Sequence, residues 1–200
     1  RFDFKRISYQ DIINRMAYIL QEEKIGYDEQ ALHVIARSAN GGMRDALSLL
    51  DQIISYGSDA VTFENAVKVS GSLTEEMMIS FSSALLHEET ESALQLLQEI
   101  LSAGKEAGRF LEEMILFARD VLVYQQTNGK AFADNTQQYS EAFQTFSQEA
   151  PATFLYEMIE AFNETQGEMR FSTQPDIYLE VLAVKLSQSK AHAHATAAVP

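Results

Sequence analysis

The chain has 200 residues, 46% of them hydrophobic, with no Cys and no Trp; this suits one or two modest globular domains and rules out a disulfide framework. Its formal net charge is -14, spread unevenly: residues 1–70 carry 8 Lys/Arg against 10 Asp/Glu, and residues 71–200 carry 7 against 19. So acidic a chain repels phosphate backbones, which disfavours direct nucleic-acid binding by the chain alone, while apolar runs broken well short of about 18 residues and the lack of a basic-then-apolar leader argue against a membrane span or a secretory signal and make a cytoplasmic location the default.

The opening "RFDFKRIS" alternates apolar and polar residues as a short strand does, with no following strand to pair with, and reads as the last strand of something upstream. Ser8 and Asp11 then supply a cap and a third-position acid, and Ile12, Ile13, Met16, Ile19 and Leu20 share a face, predicting a helix over about 8–24 that Gly26 ends. Asp28 caps a second helix, in which Ala31, Leu32, Ile35, Ala36 and Ala39 repeat at three and four up to the Gly41-Gly42 stop. A third helix runs from about Met43 to Tyr56, with Leu47, Leu50 and Ile54 read as core, and Thr62 caps a short fourth that ends near Gly71. These four form a small bundle.

From Thr74 onward the helices lengthen and the acidity rises, with helices expected near 74–87, 89–103, 106–127, 135–149, 151–165 and 173–188. The chain is therefore expected to be all-α, with one unit over 1–70, a second over 71–188 and a flexible linker or tail over 189–200. "TNGKAFADN" is the least structured link within the second unit. The helix over 106–127 carries Phe110, Leu111, Met114, Ile115, Phe117 and Leu122 on nearly every side, so some of these are expected to stay exposed in a monomer and drive association.

Enzyme motifs are scarce. No Gly-rich phosphate loop, H-E-x-x-H or G-x-S-x-G pattern is present, and there is no Cys for a thiolate or zinc cluster. The pairs Glu75-Glu76, Glu88-Glu89 and Glu112-Glu113 are adjacent on helices, where neighbours point about a hundred degrees apart, and read as solvated faces rather than convergent catalytic carboxylates. His192 and His194, alternate residues in the tail, make a poor metal site without further ligands. No catalytic residue and no metal ligand is assigned.

The stretch "ANGGMRDALSLLDQ" is unusual. It places Gly41 and Gly42 ahead of a helix whose first turn holds Arg44, a charge that opposes the helix dipole. Two readings fit these residues: Arg44 pairs with an acid while Gly41 serves as a helix stop, or its guanidinium fork is aimed at a phosphate that the glycines and the helix end allow to approach.

"RFDFKRIS", "ILQEEKIGYDEQALHVIARSANGGMRDALSLLDQIISYG" and "TFENAVKVSG" together closely resemble the lid region of the bacterial DNA polymerase III gamma/tau subunits, ATPase subunits of the sliding-clamp loader and members of the AAA+ group. The resemblance implies a helical AAA+ lid over 1–70 and a helical oligomerisation collar over 71–188, following a nucleotide-binding domain that this chain does not contain. It makes Arg44 the sensor-two arginine that reaches the gamma-phosphate of ATP, with Gly41 and Gly42 beside the nucleotide. ATP with Mg would be bound mainly by that preceding domain, so the chain alone is expected neither to hydrolyse ATP nor to bind it measurably. The implied partners are further gamma/tau copies and the delta and delta-prime subunits, with the sliding clamp and primed DNA met only through the full complex. A helicase-loader or recombination-factor lid is a rival within the superfamily. A helical protein-protein adaptor with no nucleotide link is the rival from another class.

Overall fold

The computed structural model describes residues 7–39, 41–57, 60–130 and 139–196, with side chains followed to residue 188. By its internal contacts the chain divides into two compact units, residues 1–72 and 73–200. Both are helical. Most of the expected strand at the N-terminus, part of the "TNGKAFADN" link and the last four residues lie outside the described residues, as do the side chains of His192 and His194.

The first unit contains helices α1 (Tyr9–Glu22), α2 (Glu29–Ser38), α3 (Met43–Tyr56) and α4 (Phe63–Ser70). Ser8 caps α1 by accepting the Asp11 N–H at 3.1 Å, and Thr62 caps α4 by accepting the Asn65 N–H at 3.2 Å, each satisfying one of the orphan donors of a helix start for about 1 kcal/mol. Ile12, Met16, Leu20, Leu32, Ile35, Leu50 and Ile53 close the core of this unit. Leu47 and Ile54 are half-buried and pack against it.

Two details depart from the sequence expectation. The turn after α1 is made by Lys24, which takes a left-handed φ of 57°, while Gly26 belongs to a two-residue strand, β1 (Gly26–Tyr27), paired in parallel with β2 (Ala60–Val61). A Cβ at Gly26 would already touch that of Ala60 at 3.6 Å. Asp28 stands at the N-cap of α2 but gives that helix no side-chain bond. Its carboxylate instead accepts the Phe63 N–H at 3.0 Å, at the start of α4, and its own N–H donates to the Val61 carbonyl. The short strand pair therefore delivers an acid to the positive end of another helix.

The second unit contains α5 (Glu75–Leu86), α6 (Thr90–Ser102), α7 (Ala107–Thr127), α8 (Glu141–Glu149), α9 (Ala152–Met169) and α10 (Pro175–Thr196). The last three differ in extent from expectation: α8 begins only after Ser140, whose hydroxyl accepts the Phe143 N–H at 3.1 Å, α9 continues to Met169, and α10 runs past residue 188. α7 packs along α9, α10 lies against α6 and α9, and α5 lies against α6 and α8. Aromatic rings fill the centre: Phe81 meets Phe110 edge-on with centroids 5.2 Å apart, and Tyr139 stacks on Phe143 at 4.0 Å.

The α7 side chains do not supply the exposed face anticipated from their pattern. Phe110, Leu111, Met114, Phe117 and Leu122 are buried within their own unit, and Ile115 packs against the same core. A helix that is apolar all round is here enclosed by α9, α10 and α8 rather than left uncovered. The large apolar side chains left in solvent in this unit lie elsewhere, among them Tyr156, Phe171, Ile177 and Val181.

Candidate functional site

The segment from α2 to α3 answers the question raised by its glycines. α2 gives out at Ala39, whose N–H still reaches the Ile35 carbonyl at 3.1 Å, and the Gly42 N–H returns to the Ala39 carbonyl at 2.8 Å. Gly41 takes a φ of 83°, in the left-handed region that side chains avoid. Gly42 is the N-cap of α3. A Cβ there would lie 2.5 Å from the Asp45 Oδ2 and 3.2 Å from the Ala39 carbonyl, so a side chain at 42 would displace the carboxylate folded over this end. Each glycine has a local steric reason. Asp45 in the first turn also offsets the dipole that Arg44 opposes.

Arg44 is exposed. Among the described residues it makes no hydrogen bond or ion pair, although Asp45 is its neighbour in sequence. An arginine spare of partners at a helix start offers a planar fork of N–H donors to an anion, and it stays charged at any physiological pH. It supplies binding and charge, not acid–base chemistry. Gly41, Gly42 and Arg44 are thus brought together at one helix end.

Elsewhere the acidic pairs behave unequally. Glu76, Glu88, Glu89 and Glu112 are exposed, as solvated faces are. Glu75 instead accepts a bond from the Ser140 hydroxyl, and Glu113 is drawn in by Lys105, whose side chain is 4% exposed. The sequence signal was available only in hindsight of the fold: Lys105 and Glu113 are eight apart, spanning the turn that starts α7. Among the described residues no group of three or more His, Cys, Asp or Glu is placed to hold a metal ion, and no helix is long and apolar enough to cross a membrane.

Two histidines have their pKa values displaced in opposite directions. Burial, then the nearby Arg37 charge, push His33 below the usual imidazole range against a weaker opposing pull from Glu29, and its Nδ1 is buried without a partner. His87 is pushed up by the Ser83 carbonyl and by Glu149, which face its Nδ1 at 2.8 Å and its Nε2 at 2.7 Å. Two acceptors on one ring match the imidazolium. Stability from His87 is therefore full below an ordinary imidazole pKa of about 6.5 and is lost as pH rises through the raised value, whereas the His33 site loses stability as pH falls from about 6.5 toward its lowered value. Unfolding of the two units followed separately across pH 5 to 8 should show the first unit weakening on acidification and the second on alkalinisation; His87→Gln should flatten only the second trend.

Residues 11–59 match the DNA polymerase III clamp loader subunit ATPase lid domain, and residues 61–199 match domain III of the DNA polymerase III subunits gamma and tau. The chain is 38% identical over 189 residues to the DNA polymerase III subunit tau of Bacillus subtilis, covering 94% of this chain and 34% of that protein. It is 28% identical over 185 residues to the subunit gamma of Buchnera aphidicola, covering 92% of this chain and 51% of that one. The chain thus spans about a third to a half of the length of these relatives. In fold it is similar to the Bacillus subtilis DNA clamp loader delta protein, with a TM-score of 0.50 at 14% identity over 92% of this chain and 58% of the other. With one family matched along the helices that carry Arg44 and the next along the helices that follow, the chain belongs to the DNA polymerase III gamma/tau family and carries its clamp-loader ATPase lid and its domain III.

Proposed function

We propose that this chain is the part of a clamp-loader subunit that turns ATP binding on a preceding domain into ring assembly and loading of the sliding clamp onto primed DNA. The observation that carries this reading is the exposed Arg44 at the start of α3, without a hydrogen bond or ion pair among the described residues, inside the segment matched to the ATPase lid. Its guanidinium would meet the gamma-phosphate of ATP, with Gly41 and Gly42 at the same helix end. Because the Asp45 carboxylate already lies over that end, the arginine fork rather than the bare helix N–H groups is the phosphate ligand. The residues present fit one end of a nucleotide, its last phosphate. Mg and the rest of ATP belong to the preceding domain in this reading. The division of labour is a lid over 1–70, a collar over 71–188 and a tail beyond, working in the cytoplasm. Arg44→Ala in the full-length subunit, assayed for ATP-dependent clamp loading, tests the reading.

The partners are further gamma/tau copies together with delta and delta-prime subunits, and the collar is the surface that gathers them. The exposed apolar residues of the second unit support this. Ile177 and Val181 are one turn apart on α10, and Val181 is 62% exposed. Replacing both with Ser should shift sedimentation of the chain toward monomer, in salt high enough to screen its acidic charge, without lowering the melting temperature. A strict monomer at high micromolar concentration before any substitution would contradict the collar reading.

A further inference from the structure

In the second unit α6 and α10 lie side by side, tied at one end by the Thr90 and Ser187 hydroxyls, 2.7 Å apart. Between them runs an open groove of about 1100 Å³. Leu94 and Leu101 from α6 and Val181 and Val184 from α10 give it an apolar lining, and Glu91, Asp176 and Glu180 stand along it. These three acids are exposed and in no ion pair among the described residues. The cation of the groove, Lys185, lies 3.6 Å from Glu164 on α9. An apolar lining edged with unpaired carboxylates suits an apolar group that carries a positive charge beside it.

The same unit presents such a group at the corner between α9 and α10. Phe171 is 90% exposed, and the Arg170 guanidinium lies 5.8 Å from the centre of its ring. Arg170 is itself exposed and in no ion pair among the described residues. The corner is held in shape by its own hydrogen bonds: the Ser172 N–H donates to the Met169 carbonyl at 2.9 Å and the Gln174 N–H to the Ser172 hydroxyl at 3.0 Å, so little backbone freedom is lost when the ring docks. Neither Arg170 nor Phe171 lines the groove, which leaves one copy free to present its corner to a neighbour while its groove receives another.

We infer that the occupant of the α6–α10 groove is the Arg170 and Phe171 corner of a second copy of this chain. The ring enters between Leu94, Leu101, Val181 and Val184, and the guanidinium settles among the carboxylates of Glu91, Asp176 and Glu180. That arginine offsets locally the repulsion between copies whose residues 71–200 carry 7 Lys/Arg against 19 Asp/Glu. A contact between two different patches is head-to-tail and adds copies until a ring closes, which one patch paired with itself about a two-fold axis cannot do. This rests on the collar reading and deepens it, by naming the surface each subunit gives and the surface it receives.

Two surface substitutions in the full chain separate the halves of this contact. Phe171→Asp removes the protruding ring and keeps the groove; Val181→Asp, at a position 62% exposed, charges the groove and keeps the ring. In sedimentation each variant alone should associate at least about tenfold more weakly than wild type, as loss of a central interface anchor does, with an unchanged melting temperature. An equimolar mixture of the two should recover a dimer of one copy of each and nothing larger, because one intact corner and one intact groove remain between them. Association left intact by Phe171→Asp, or a mixture that stays monomeric, overturns the pairing and gives the groove to another partner. A wild-type chain that is a strict monomer at high micromolar concentration contradicts the collar reading itself, and the pairing with it.

Discussion

Arg44→Ala in the full-length subunit is expected to slow ATP-dependent clamp loading and hydrolysis about ten- to a hundredfold. A charge-assisted hydrogen bond to phosphate contributes roughly 1.5–3 kcal/mol, and each ~1.4 kcal/mol is a factor of ten in the step that uses it. The fold should not suffer, because Arg44 is exposed, opposes the dipole of its own helix and makes no hydrogen bond or ion pair among the described residues. Arg44→Lys should rescue in part: it keeps the charge and loses the planar fork. A large fall in the melting temperature of the lid in Arg44→Ala would make the residue structural.

The largest expected effect on stability belongs to Phe110→Ala. Phe110 is 1% exposed and meets Phe81 edge-on at 5.2 Å, so its truncation removes a whole ring from a closed core and should destabilise the second unit by about 3–5 kcal/mol. The first unit has a separate apolar core, built on Ile12, Met16, Leu20 and Leu50. Denaturant unfolding followed by hydrogen exchange should therefore show protection lost in α5 to α10 and retained in α1 to α4. Equal loss in both would mean that the two cores do not melt independently.

Local rules carried far in this sequence because its helices announce themselves. α3 spans Met43–Tyr56, the span expected from the glycines and the apolar repeat that follows them, and the hydroxyl caps Ser8 and Thr62 each accept a backbone N–H of the helix they were expected to start. What stayed hidden depends on residues distant in sequence. Asp28 looks like the cap of its own helix and serves Phe63, 35 residues on, because the β1–β2 pair brings the two together. Lys24 rather than Gly26 makes the left-handed turn, a choice the composition of the loop does not reveal. Phe110 and its neighbours on α7 look like a surface in search of a partner; the partner is α9 in the same unit, whose own pattern gives no sign of that pairing. At the candidate site, Gly41, Gly42 and Arg44 were legible together because they lie within four residues of one helix start. That Arg44 has no acid paired with it among the described residues, while Asp45 folds over Gly42, required the side chains to be placed.

The central claim is that Arg44 reads the last phosphate, and the measurement closest to it is the affinity of the full-length subunit for ATP and for ADP, with and without Arg44→Ala. A guanidinium on the gamma-phosphate has no counterpart group in ADP, so the account predicts that ATP binding weakens about ten- to a hundredfold while ADP binding changes far less. Equal losses for the two nucleotides, or no loss for either, would contradict it.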